Sequence, residues 1–250
     1  MTKLKNILSR FFCCLSFSST TRKRRRNNLA AKKKGNKIIW ITTNGNRLAM
    51  KPSQLPSSIK LKVLGNDNTL IFHAPFSPHH LSIIIFSEAH HNHLEFGAIP
   101  PGTSYNADIH VTAPFGDMKI GAQTGIGGLT LVLCGGKCHI GENCMLSDQI
   151  TIWTHDSHCL IDMDTGDLIN GNARGVEIGN DCWIGQGAAL TKNAVLPPHT
   201  VVGLKSVVTR MFSEEYTVLT GQPARVARRN VTWSRQREWE YRKNGSAPLG

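Results

Sequence analysis

The apolar residues Ile178, Ile184, Leu190, Leu196, Val202 and Val208 stand six apart without a slip. An α-helix buries positions spaced near 3.6, and a half-buried strand alternates at 2. A period of six fits neither. It predicts a solenoid of short parallel strands in which each hexad forms one flat side of a coil. The same period runs through Ile120, Ile126 and Val132 and, shifted by two, through Ile140, Leu146 and Ile152.

The breaks in the pattern divide the chain. Residues 1–36 carry no period and read as a tail. Residues 37–58 contain Ile38-Ile39-Trp40-Ile41, Asn44-Gly45-Asn46 and a Pro/Ser-rich link, which predict a capping hairpin. The repeats span 59–212. Their early coils, with IKLKVLG, NTLIFHA and LSIIIFS, are looser and longer than the hexads that follow. Residues 153–176 are polar, and the step from Ile152 to Ile178 is 26, not a multiple of six. That segment is read as a loop thrown off the coil. Loops on a rigid scaffold are where chemistry concentrates. Residues 213–250 predict a strand leaving the solenoid and a short charged helix.

Charge sharpens this division. The net charge is +12, yet residues 1–37 hold 12 of the 29 Lys and Arg and no acid. The remaining basic and acidic residues cancel, so the folded body is near neutral. That argues against nucleic acid binding across the fold. The tail, with Arg22-Lys23-Arg24-Arg25-Arg26 and Lys32-Lys33-Lys34, follows the short apolar stretch Phe11–Phe17. The stretch is far below the ~20 residues that cross a bilayer. A disordered tail or an anchor at an anionic membrane surface fits it best. Seven cysteines, an odd number without clustering, point to reduced thiols and a cytoplasmic chain, peripheral at the inner membrane through the tail. Cys144 and Cys182 fall at small inward hexad positions and read as core.

Three motifs carry chemistry. The first is Thr154-His155-Asp156-Ser157-His158, in the break. The second runs from Val176 to Gly185 through Glu177, Asp181, Cys182 and Trp183. The third is Ser206-Val207-Val208-Thr209 followed by Gly221-Gln222-Pro223-Ala224-Arg225-Val226. With these motifs, 115–233 resembles the hexapeptide-repeat acyltransferases, and 37–114 does so loosely. Cys144-Met145-Leu146-Ser147 before the Asp-x-His loop is similar to the branch acting on capsular polysaccharide, lipopolysaccharide and sialic acid. The resemblance implies an all-β, left-handed parallel β-helix. It also implies a homotrimer with acetyl-CoA in a groove between subunits, no metal, and a sugar or polysaccharide acceptor.

By position, the resemblance makes His158 the base. His155 stands where the family has a smaller residue. A neutral imidazole takes the proton of an attacking hydroxyl, worth about 10²–10⁴ in rate. Trp183 is expected to donate its indole N–H to the thioester or the oxyanion. Asp156 or Glu177 is expected to orient the base. Gly185, Gly187 and Ala188 keep a low wall for the pantetheine. Lys205, with Ser206 beside it, and Arg225 are expected to meet the pyrophosphate or ribose phosphate, with Arg228 and Arg229 nearby. Gly221, Pro223 and Ala224 resemble the family's turn near the adenine.

Other readings stay open. Acetyl-CoA with these residues also suits N-acetylation of an amino sugar or transfer to a small acceptor. A zinc-dependent hydratase on the same fold needs a histidine set such as His139, His155 and His158. The neighbours His79-His80 and His90-His91-Asn92-His93 point to opposite faces of a strand, which disfavours a shared metal. A non-enzymatic scaffold recruited by the tail is the remaining alternative.

Overall fold

The computed structural model describes residues 35–171 and 173–243. Most of the predicted basic tail therefore lies outside the described residues. The described chain winds as a left-handed parallel β-helix of about seven turns. Strands stack in register on three flat faces. The first face carries Lys37–Ile41, Thr69–His73, His93–Phe96, Asp117–Ile120, Lys137–Ile140, Val176–Ile178 and Val195–Leu196. On the second face Tyr105, Ile126, Leu146, Ile184, Val202 and Leu219 pair in one column. On the third, Leu61, Ile83, Ile109, Leu131, Ile152, Leu190 and Val208 do so. Past the early coils the chain visits the faces in the order first, second, third.

Side chains alternate along each strand, so in-register stacking builds continuous inward columns. The six hexad residues that begin at Ile178 are at most 3% exposed. Burying each such side chain contributes about 1.5–3 kcal/mol. Two positions before five of them stand Cys182, Ala188, Ala194, Thr200 and Ser206, all 0% exposed. These are small because the thin coil has no room beside a corner. Cys144 and Cys182 are core thiols, as expected, with Sγ atoms 3.1 Å from Gly179 O and 3.3 Å from Pro197 O.

One hexad assignment is corrected. Ile126 pairs with Leu146, but Ile152 pairs with Leu131 rather than Val132. The step from Ile126 to Leu131, the residue in the third-face column, is five, and a one-residue slip exchanges the faces of a strand. Val132 faces outward.

The early coils are wide. Phe72 and Phe96 stack at 4.9 Å, and Phe76 and Tyr105 pack edge-on beside them. The predicted hairpin at 37–58 is present, with Arg47–Ala49 antiparallel to Lys37–Ile41, but Lys37–Ile41 is also the outermost rung of the first face. At the other end Val218–Gly221 extends the second face and turns back as Ala224–Arg228. The short helix is Glu238–Lys243. Among the described residues, no helix is long and apolar enough to cross a membrane.

From Leu190 to Val208 one coil takes 18 residues, whereas from Ile152 to Leu190 it takes 38. The excess leaves at the corner between the third and first faces and returns at Gly175. There φ is +91°, and a Cβ would stand 2.0 Å from Lys137 O, so only glycine closes the loop.

Candidate active site

The extruded loop is clasped at its base by two side chains. Asn170, 7% exposed, donates Nδ2 to Asp156 Oδ2 (2.8 Å) and to His158 O (2.8 Å), and its Oδ1 accepts Leu160 N–H at 2.9 Å. Lys192, on the next coil, donates to Asp156 and, at 3.1 Å, to Asn170 O. The Lys192 ammonium, then the Asn170 amide, hold the Asp156 carboxyl below its usual pKa. Thr154 anchors the loop's start, accepting Cys134 N–H at 3.0 Å.

This base carries His158 in an exposed position, with its N–H on Asp156 O (2.8 Å). Among the described residues no acceptor of this chain holds its ring. His155 Nδ1 accepts Ser157 N–H at 3.2 Å. Both proposed orienting carboxylates are engaged elsewhere. Asp156 serves the clasp, and Glu177 pairs with Lys137 at 3.0 Å on the first face. Beyond the clasp an arm closes through a bridge between Ile161 and Leu168. Leu160, Ile161, Met163, Leu168 and Ile169 all stand exposed on it, Met163 at 96%.

A second set of candidates meets at a different corner, between the second and third faces. Gly187 N–H donates to Asp148 O (3.0 Å), Lys205 N–H to Gln186 O (2.9 Å), and Gln222 Nε2 to Lys205 O (2.7 Å). Gly221 N–H reaches the buried Ser206 Oγ at 3.2 Å. Gly185, Gly187, Ala188, Lys205, Ser206, Gly221, Pro223, Ala224 and Arg225 therefore line one edge, although up to forty residues separate them. Lys205 and Arg225 are exposed, and neither is paired with a carboxylate among the described residues. Arg229, by contrast, is bound to Glu214 at 2.8 and 3.0 Å.

Beside this edge lies a groove of about 680 Å³ lined by Ser147, Trp183, Gly185, Gln186, Val201 and Leu204, among others. A Cβ on Gly185 would stand 2.7 Å from Val202 O, so the wall here is bare backbone. Trp183 is 37% exposed in the groove, and its Nε1 donates to Ser147 Oγ at 3.3 Å. Within one chain, then, Trp183 and the donor-binding candidates share a corner, while His158 leaves from another.

The histidines considered for a metal are dispersed. His139 bonds Asp117 at 2.6 Å on the first face, away from His155 and His158. His80 bonds Asp108 (3.1 Å) and His93 bonds Asp117 (3.0 Å). Among the described residues no group of three ligating side chains converges. Three contributors escaped sequence reasoning. Ser147 ends the Cys144-Met145-Leu146-Ser147 motif, whose spacing says nothing of the indole it accepts from. Lys192 lies one 38-residue coil after Thr154, a signal readable once the coil length is known. Asn170 has no local signal.

No family model matches the chain. Over 120 residues, 48% of its length, it is 32% identical to the polysialic acid O-acetyltransferase of Neisseria meningitidis. The chain spans about half of that relative's length, 55%. Two crystal structures share the fold. That of the polySia-specific acetyltransferase NeuO superposes with a TM-score of 0.67 at 21% identity, over 85% of this chain and 91% of that one. That of the polysialic acid O-acetyltransferase OatWY gives 0.60 at 24%, over 76% and 87%. The similarity expected from the motifs, to hexapeptide-repeat transferases and their sialic acid branch, is therefore present in sequence and in fold.

Proposed function

We propose that this protein is an O-acetyltransferase that moves an acetyl group from acetyl-CoA to a hydroxyl of a bacterial surface sugar. The observation that carries the reading is the 32% identity over 120 residues to a polysialic acid O-acetyltransferase. The edge at the second and third faces supports acetyl-CoA as donor. Its glycines leave backbone open to a pantetheine, and Lys205 and Arg225, paired with no carboxylate among the described residues, offer charge to phosphates.

The acceptor oxygen attacks the thioester carbon while His158 takes its proton. Trp183 donates to the thioester or the oxyanion. The carbon–sulfur bond then breaks, and the imidazolium returns the proton to the CoA sulfur. Asp156 is the candidate to position the base, by fixing the loop that carries it, since Glu177 is taken up by Lys137. His158 and Trp183 leave different corners of one chain, so a homotrimer that sets the loop of one subunit against the groove of the next completes the site. The exposed apolar arm supports such an assembly. A sialic acid polymer is the first acceptor to test, with amino sugars and small acceptors as the comparison set.

The test is CoA release from acetyl-CoA with polysialic acid and this comparison set. His158→Ala should lower turnover about 10²–10⁴-fold with the β-helix intact by circular dichroism. Unchanged turnover in that variant removes His158 as base. Sedimentation of the protein as a monomer removes the shared site. The tail is proposed to hold the protein at an anionic membrane surface, and cosedimentation with anionic vesicles should be lost on deletion of 1–36.

A further inference from the structure

The third corner, between the first and second faces, carries a strap. After the terminal hairpin the chain runs back across the coils. Val231 N–H donates to Tyr216 O (3.0 Å) and Trp233 Nε1 to Asp181 O (2.5 Å). Arg235 then reaches Cys144 O (2.9 Å), Asn143 O (3.1 Å) and Gln123 O (3.2 Å). Tyr216, Asp181, Asn143 and Gln123 all have positive φ and are the corner residues of four coils. The Arg235 guanidinium, a planar fork of N–H donors, satisfies several of these corner carbonyls at once.

The strap ends on the candidate site. The Trp233 ring lies 6.3 Å from that of Trp183 at 44°, and the Arg235 guanidinium sits 5.4 Å over Trp233. Asp181, the acceptor for Trp233, is two residues before Trp183, and its carboxylate accepts Asn143 Nδ2 at 2.6 Å. Trp183 itself stands on a two-residue strand, Trp183–Ile184, and points outward, where no core packing selects its rotamer. Its ring is held from two sides, by Ser147 on the N–H and by Trp233.

We infer that Trp233, locked by the Asp181 carbonyl and by Arg235, is a positioning residue that sets the orientation of the Trp183 indole. The inference rests on the transferase reading for its effect on turnover, but the pairing of the two rings does not. An indole whose plane is set by packing has only to exchange its long 3.3 Å bond to Ser147 for the thioester, and small misplacements of such donors cost large factors in rate.

Two measurements test it. Coupled indoles give an exciton couplet in circular dichroism, expected in the wild type and lost in both Trp183→Phe and Trp233→Phe. A couplet that survives Trp233→Phe, or is absent from the wild type, overturns the pairing. In acetyl transfer, Trp233→Ala should lower kcat about ten- to a hundred-fold, with KM for acetyl-CoA nearly unchanged. Trp233→Phe, which keeps a ring, should recover part of the loss. Trp183→Phe with Trp233→Ala should be no slower than Trp183→Phe alone, because both act through one group. Additive losses, or wild-type kcat in Trp233→Ala, overturn the positioning role. A wild type that transfers no acetyl group defeats the functional reading, while the couplet still decides whether the strap holds Trp183.

Discussion

The coils before the extruded loop and the coils after it solve the same packing problem in different ways. Before it, Phe72 to Phe96 and Phe96 to Ile120 are steps of 24 residues with strands of four to nine, and the wide interior is filled by stacked rings. After it, every coil has 17 or 18 residues and mostly two-residue strands, with aliphatic tips and small residues such as Cys182, Ala188 and Ala194 inside. Aromatic filling tolerates an uneven coil length, because a large ring spans what a shorter strand leaves empty. A thin coil has no such slack, so its corners repeat in strict register. The proposed donor edge is built on the regular part, and the loop with His158 leaves where the width changes.

The comparison can be broken first at the wide end. Phe72→Ala should cost about 3–5 kcal/mol, because a cavity among stacked rings cannot collapse; denaturant unfolding measures it. The thin end should fail in the opposite way. Ala188→Leu adds volume where none is free and should cost about 1–3 kcal/mol by the same measurement. If it is tolerated, the thin core has more slack than the register implies.

At the boundary, Asn170→Ala removes the clasp between Asp156, His158 and Leu160. About 1–2 kcal/mol of local loop stability should be lost. Proteolysis in 159–169 and hydrogen exchange read this, with global unfolding little changed. Tyr105→Phe should act with the reverse sign. Among the described residues the Tyr105 hydroxyl is buried without a hydrogen-bond partner, and burial drives its pKa far up. Its removal should stabilise the wide end by about 1 kcal/mol.

The smallest effect concerns pH. Burial tends to raise the pKa of Asp117, but hydrogen bonds with His139 and then His93 outweigh it, and the net shift is downward. A depressed carboxyl contributes stability above its unfolded value of about 3.9 and loses it as pH falls through the folded one. Asp117→Asn should therefore flatten the acid side of the stability profile below about pH 4. An unchanged profile would mean that solvent screens the His–Asp ladder completely.

Much of this was legible in the chain itself. Inward columns impose a period of six, so the solenoid, the buried Cys144 and Cys182, and the extrusion between Ile152 and Ile178 follow from spacing alone. The three motifs pointed to the edge from Gly185 to Arg225 and to His158. The inward place of Leu131 was hidden, because Ile120, Ile126 and Val132 keep a clean period while the backbone drops one residue.

What only the tertiary structure decided is which distant groups meet. Lys192 reaches Asp156, Asn170 closes the loop, and Trp233 lies against Trp183, with separations of 36, 14 and 50 residues. A repeating pattern specifies how each turn stacks on the last, because neighbouring rungs share one geometry. It carries no information about a loop and a terminal strap that leave the repeat, whose contacts depend on where the corners finally stand in space.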